Sequence, residues 1–221
     1  IRALAKKKIG MTRQQVVEAV KISEGGSIQR VLQELEQSGF IATYRPYKKK
    51  KREKLYRLID EYSLFYLQFI EPNEFEGLNT WNLLSQTPSI KAWSGYAFES
   101  ICLKHLPQIK KALGIAGIQS VSASFLKKGT KAEQGTQIDL LLDRSDQVIN
   151  IFEVKFSNQL FSISKSYFQN LSNKLSVFKA VTKTRKQLFL VFITTFGITE
   201  NQYSSGIVSR SLTLEDLFSE M

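Results

Sequence analysis

Apolar positions change their spacing twice along this chain, and each change marks a different kind of element. The first forty residues repeat at helical intervals. Leu4 and Ile9 are the apolar positions of a first helix, into which Ile1–Lys8 reads. Thr12 has the side chain and place of an N-cap for a second helix through Val16, Val17 and Val20. Ser23-Glu24-Gly25-Gly26-Ser27 reads as a turn, with Ser27 as the next N-cap. A third helix then sets Ile28, Val31, Leu32 and Leu35 on one face. Ser38-Gly39 ends it, Gly39 supplying the left-handed residue beyond the last turn. Phe40–Tyr44 and Leu55–Ile59 read as two strands joined by a basic loop, Pro46–Arg52.

The next stretch, Tyr62–Ile70, is an aromatic-rich helix ended by Pro72 and Gly77. It is too short to span a bilayer and too apolar to stand in water, so it reads as a packed connector. From Trp81 onward the pattern becomes α/β. A long helix covers about Ala92–Leu113, bent or interrupted at Pro107. Strands follow at Ile118–Lys127, Gln137–Asp143 and Val148–Phe156, then a helix at Ser164–Val181. Gln187–Thr194 is a buried strand with an almost unbroken apolar run. Ser211–Leu214 is a last short strand before a terminal helix at Glu215–Phe218. The expected organisation is a winged helix over residues 1–60, a helical connector over 61–78 and an α/β domain over 79–221, a mixed α/β fold.

Composition sharpens the first of these. The 221-residue chain carries a formal net charge of +11. Residues 1–60 hold 15 Lys/Arg against 6 Asp/Glu, a net of +9. Positive charge so concentrated points to a polyanion, most often nucleic acid. In a winged helix the third helix enters the major groove, where Gln29, Arg30 and Gln33 are types able to read base edges. The loop tip Lys48-Lys49-Lys50-Lys51-Arg52 would then lie along phosphates. Double-stranded DNA is the expected partner, although winged helices also serve as protein-contact modules. Cys102 lies in an apolar helical pattern and reads as a small core residue, and His105 is the lone histidine, so no zinc set exists. No apolar run reaches membrane-span length and no signal peptide is visible, so a reducing cytoplasm and no membrane partner are expected. The start at Ile1 is read as that of a fragment.

The chemistry lies in the α/β part. Asp139 is set in the apolar strand Ile138–Leu142, and Glu153 and Lys155 in Ile151–Phe156. Such charges are costly unless paired. Alternation puts Glu153 and Lys155 on one face, and the polar link Arg144–Gln147 suits a hairpin turn, bringing Asp139 opposite Glu153 or one residue off. Two carboxylates, with the Val154 carbonyl as a further ligand, make an oxygen-rich site for Mg²⁺ or Mn²⁺. The metal would polarise a phosphodiester, and Lys155 would hold the attacking water and neutralise developing charge. Glu99 on the long helix would complete the shell. The alternative is a structural Glu/Asp–Lys cluster without metal; spacing alone does not choose between them.

The acid–strand–turn–Glu-x-Lys arrangement resembles the PD-(D/E)XK restriction-endonuclease-like superfamily, with Ile138-Asp139 standing for its Pro-Asp and Glu153-Val154-Lys155 for its Glu-x-Lys. Together with Leu32-x-x-Leu35-x-x-Ser38-Gly39-Phe40-Ile41, Trp93-x-Gly95-x-x-Phe98-Glu99 and Leu214–Phe218, the motifs resemble the C-terminal half of the archaeal-type ATPase family. The resemblance implies an upstream P-loop ATPase domain as partner. ATP would bind there, since no Gly-x-x-x-x-Gly-Lys-Ser/Thr occurs in this chain. It implies a DNA-binding, Mg-dependent nuclease module, or else a catalytically inactive DNA-binding, regulatory or protein-interaction module, and is compatible with a homo-oligomer. Gln169 is a weaker candidate on the helix after Glu-x-Lys. Lys165 and Lys174 there are expected to meet solvent or phosphate.

Overall fold

The computed structural model describes residues 1–21, 26–50, 53–73, 80–130 and 135–219. The expected turn at Ser23–Gly25, the tip residues Lys51 and Arg52, and Gly77 lie outside them. The chain has a mixed α/β fold in two compact units. The first comprises residues 1–45 and 49–100, the second residues 46–48 and 101–221.

The first unit opens with α1 (Arg2–Ala5), α2 (Arg13–Val20) and α3 (Gly26–Gln37), followed by the antiparallel hairpin of β1 (Ile41–Tyr44) and β2 (Leu55–Leu58). Helix α1 is shorter than the Ile1–Lys8 expected. Thr12 caps α2 as the pattern predicts: its Oγ1 accepts from Gln15 N, and Gln15 Oε1 accepts from Thr12 N, a reciprocal capping box. Ser27 lies inside α3 rather than ahead of it. Gly39, at φ 77°, closes α3 through Phe40 N donating to Leu35 O. Buried Ile28 and Leu32 carry the helix onto Leu4, Val16, Ile41 and Tyr56. Val31, expected on this face, is exposed. With Val20 it lines an open apolar groove of about 560 Å³, which α1, only four residues long, does not fill.

Gly10 ties the helices to the hairpin. Its φ is 91°, and a Cβ there would lie 2.8 Å from the carbonyl oxygen of Tyr56. That close approach lets Met11 and Tyr56 exchange both backbone hydrogen bonds, adding a one-residue third rung to the sheet. Beyond β2, Asp60 caps α4 (Glu61–Phe65), which runs on through a π-helical turn (Tyr66–Ile70) and a 3₁₀ turn holding Pro72. Leu64 enters the same core as α2 and α3, and Phe65 and Phe69 pack edge-on against Trp93. Helices α5 (Thr80–Leu84) and α6 (Pro88–Lys104) follow, the unit ending within α6 at Ser100.

In the second unit the helical pattern breaks at His105, and α7 (Leu106–Ala112) starts with Pro107 in its first turn. Cys102 is fully buried. The sheet has the order β3-β4-β5-β6-β7, with β3 (Ser120–Lys127), β4 (Thr136–Arg144), β5 (Val148–Lys155), β6 (Gln187–Thr194) and β7 (Val208–Leu212). Strands β3, β4 and β5 form an antiparallel meander. Helix α8 (Lys165–Thr182), capped by Ser164, then crosses over so that β6 pairs parallel to β5. The short α9 (Gln202–Ser205) leads to β7, parallel to β6, and the expected terminal helix is a 3₁₀ turn, Glu215–Leu217. Ile149 and Ile151 of β5 and Leu190 and Phe192 of β6 meet Leu171 and Phe178 of α8. This face of the sheet is therefore the α8 face. Among the described residues, no helix is long and apolar enough to cross a membrane.

Candidate functional site

Glu153 is a carboxylate inside this apolar layer, 7% exposed. Alternation along β5 carries it, with Ile149 and Ile151, to the α8 face. Three donors meet it there. Lys174 Nζ lies 2.5 Å from Oε2, Tyr167 Oη donates to Oε1 at 2.5 Å, and Lys155 Nζ is 3.1 Å from Oε1. Burial pushes the Glu153 pKa up, but the charges of Lys174 and Lys155 and the hydrogen bonds of Lys174 and Tyr167 more than reverse this, and the net shift is downward. Tyr167 is driven the other way, its phenol pKa raised by burial and then by the carboxylate beside it. Lys155, 37% exposed at its side chain, lies over the Tyr167 ring, 5.4 Å from the centroid.

Asp139 lies at an irregularity of the neighbouring strand. The β4–β5 ladder ends at the rung that pairs Leu140 with Phe152, and Asp139 and Glu153 are the next residues of the two strands beyond it. On its other side the β3–β4 ladder slips: Ala123 pairs with Leu141, but Phe125 pairs with Ile138. Ser124 therefore faces two residues, Asp139 and Leu140, as at a β-bulge, a device that re-aims side chains and is enriched beside active sites. Ile138 and Leu141, three apart, consequently serve the same core. Asp139 is half-buried, and its Oδ1 accepts from Gln137 Nε2 at 2.6 Å.

The donor chemistry suits a hard cation: two carboxylates, with the Val154 backbone carbonyl between Glu153 and Lys155, are what Mg²⁺ takes while keeping several waters. Both Glu153 oxygens, however, rest on protein donors. Among the described residues no group of three or more His, Cys, Asp or Glu gathers as a metal cage. Glu99 belongs to the first unit. Its Oε2 accepts from the guanidinium of Arg57 at 3.0 Å, and Arg57, 4% exposed, also donates to Tyr96 Oη at 3.1 Å. Burial works against the charge of Arg57, but Tyr96, Glu99 and Tyr44 outweigh it and raise its pKa.

Sequence reasoning missed Tyr167 and Lys174; Lys174 meets Glu153 rather than solvent. A signal was present. Positions 167, 171, 174 and 178 form one stripe of α8, and Leu171 and Phe178 are buried on it. A Lys and a Tyr in such a stripe call for a buried partner. Gln169 and Lys165 are exposed.

The expected nucleic-acid residues divide. Gln29, Arg30 and Gln33 are exposed on α3, with Arg30 paired to Glu34 one turn on. Lys49 pairs with Glu53, both exposed. Lys48 is not a tip residue: residues 46–48 belong to the second unit, where Tyr47 N donates to Ser124 O and its ring packs on Phe178. Lys48 Nζ donates to Thr182 O in the last turn of α8, a favourable place for a cation.

No family model matches the chain, and no curated protein matches it. Among solved structures there is a distant similarity to the crystal structure of a protein of unknown function, AF1548, at 15% identity and a TM-score of 0.36. The likeness covers 53% of this chain and 64% of that one.

Proposed function

We propose that the second unit is a Mg²⁺- or Mn²⁺-dependent DNA nuclease module and that the first unit binds the duplex. One observation carries this reading: a buried Glu153 shares a sheet face with Lys155, and Asp139 stands at a bulge one residue beyond the last rung that joins the two strands. Both β5 residues sit at the carboxyl end of a strand with a parallel neighbour, where α/β sheets place ligands. Asp139, Glu153 and the Val154 carbonyl would hold the ion, which when bound supplies Lewis-acid polarisation of a phosphodiester and a more acidic water. Lys155, half-exposed beside Glu153, neutralises charge developing on the phosphoryl oxygens and orients the water that attacks. Glu99 is not needed in this scheme; its carboxylate secures Arg57. The exposed Gln29, Arg30 and Gln33 of α3, which precedes a hairpin with a basic connection, support the assignment of the first unit. The resemblance to archaeal-type ATPases supports a role beside an ATPase domain. The test is incubation of the chain with supercoiled plasmid and Mg²⁺ or Mn²⁺. Nicking or linearisation that disappears in Asp139→Ala is expected; equal inertness of both proteins, also beside the ATPase domain with ATP, sinks the reading.

A second reading has its own observation. Glu153 is fully supplied with protein donors, as a structural ion cluster would be. The unit would then be a silent scaffold of a DNA-binding module. On that reading Asp139→Ala binds duplex as well as the parent and nothing is cut.

A further inference from the structure

Helix α8 turns a polar pair onto the buried acid. Tyr167 and Lys174 are two helical turns apart on the stripe that otherwise carries Leu171 and Phe178 into the core. They divide the carboxylate between them. Oε1 receives the neutral phenol and also Lys155, whereas Oε2 receives Lys174 at 2.5 Å. The Lys174 side chain is 21% exposed, so its stem is packed while its head retains a path to water. An ammonium at that distance holds the coordination position that a divalent ion would take on Oε2. Two cations cannot share it, because their repulsion in a poorly solvated pocket is large.

We propose that Lys174 is an internal cation that competes with divalent metal for Glu153, so that metal entry and release of the Lys174 side chain are one event. The proposal rests on Glu153 being a metal ligand, as argued above. It makes Lys174 a regulator of occupancy: in metal-poor conditions the ammonium keeps the buried carboxylate paired and the site closed. Lys155, half-exposed and on the other oxygen, stays in place through the exchange.

The experiment is a Mn²⁺ titration of the whole chain, followed by calorimetry, for the parent, Lys174→Gln and Lys174→Arg. Removing the charge should tighten Mn²⁺ binding by about tenfold or more, whereas the charge-preserving Arg should leave it near the parent value. Lys174→Gln binding at or below the parent affinity overturns the proposal. A second measurement uses the parent protein and does not depend on a variant folding. Acetylation of Lys174 by an N-hydroxysuccinimide ester, followed by mass spectrometry, should speed up severalfold at saturating Mg²⁺, while Lys48, held on a backbone carbonyl, stays constant. An unchanged rate at Lys174 overturns the proposal as well. Tighter Mn²⁺ binding in Lys174→Gln with no DNA cleavage by any variant keeps the competition and sinks the nuclease. Cleavage by the parent with unaltered Mn²⁺ affinity does the reverse.

Discussion

Arg57 in the first unit and Glu153 in the second are both charges withdrawn from water, and they are provided for differently. Among the described residues Arg57 is ion-paired with Glu99, and it leans on the Tyr96 ring at 4.3 Å while the Tyr96 hydroxyl donates onward to Leu58 O at 2.6 Å. The chain of hydrogen bonds from Glu99 through Arg57 and Tyr96 ends on the hairpin backbone. Glu153 instead draws two lysines and a phenol to one carboxylate, and both lysines keep some exposure. A purely structural acid needs one cation. The second lysine leaves positive charge in excess of that carboxylate, which is what a phosphate would exploit. The comparison separates a buried charge whose partners close within the core from one whose partners reach solvent.

The largest effect that would break this contrast is on cleavage. Asp139→Ala should lower Mg²⁺-dependent DNA cutting by about 10³-fold, read from plasmid nicking rates, with an unchanged circular dichroism spectrum. Next comes stability. Arg57→Met should cost roughly 3 kcal/mol in urea unfolding, because it strips the buried guanidinium from Glu99 and a donor from Tyr96. Glu153→Gln should cost less, about 1–2 kcal/mol, since Lys155 and Lys174 can turn to water. If the two costs prove equal, the Glu153 cluster is structural and the contrast collapses.

The pH dependence should follow the same carboxylate. With its folded pKa below the ordinary value of 4.5, Glu153 contributes stability that is present above that value. The contribution is lost as pH falls through the depressed folded pKa. Acid unfolding monitored between pH 5 and about pH 2 should therefore have a shallower slope in Glu153→Gln. The smallest effect is expected in the loop. Lys49→Gln with Lys50→Gln should weaken duplex binding modestly and reduce the salt slope of log K by about 2, with no change in site preference. An unaltered slope would remove these residues from the DNA-facing surface.

The alternation of Ile151–Phe156 was readable at once, because strand parity needs no knowledge of neighbours, and so was the Thr12 cap, which is local. The long apolar run of β6 declared a strand covered on both faces. What could not be read depended on residues far apart in the chain. The Arg57–Glu99 pair joins positions forty-two apart, so Glu99 read as a ligand when its partner was a guanidinium. Lys174 looked like a surface lysine until α8 was packed on the sheet. Val31 fits a buried helical face by period, yet nothing in the pattern says how far α1 reaches. The slip at Ser124 was invisible too, since Ile138-Asp139-Leu140-Leu141 is as regular a strand sequence as any.

That slip has a consequence for how the segment tolerates change. A strand is a two-beat rhythm, and the extra residue at Asp139–Leu140 inserts a half-beat. Everything on the Thr136 side is out of step with everything on the Arg144 side, yet both halves keep their apolar side chains in the same core. Deleting one of the two residues at the slip would make the strand regular and leave Ile138 two positions from Leu141, still on the core face. The position is a syncopation that the core does not need: shortening the strand by one residue takes away the setting of Asp139 and leaves the packing of its neighbours in step.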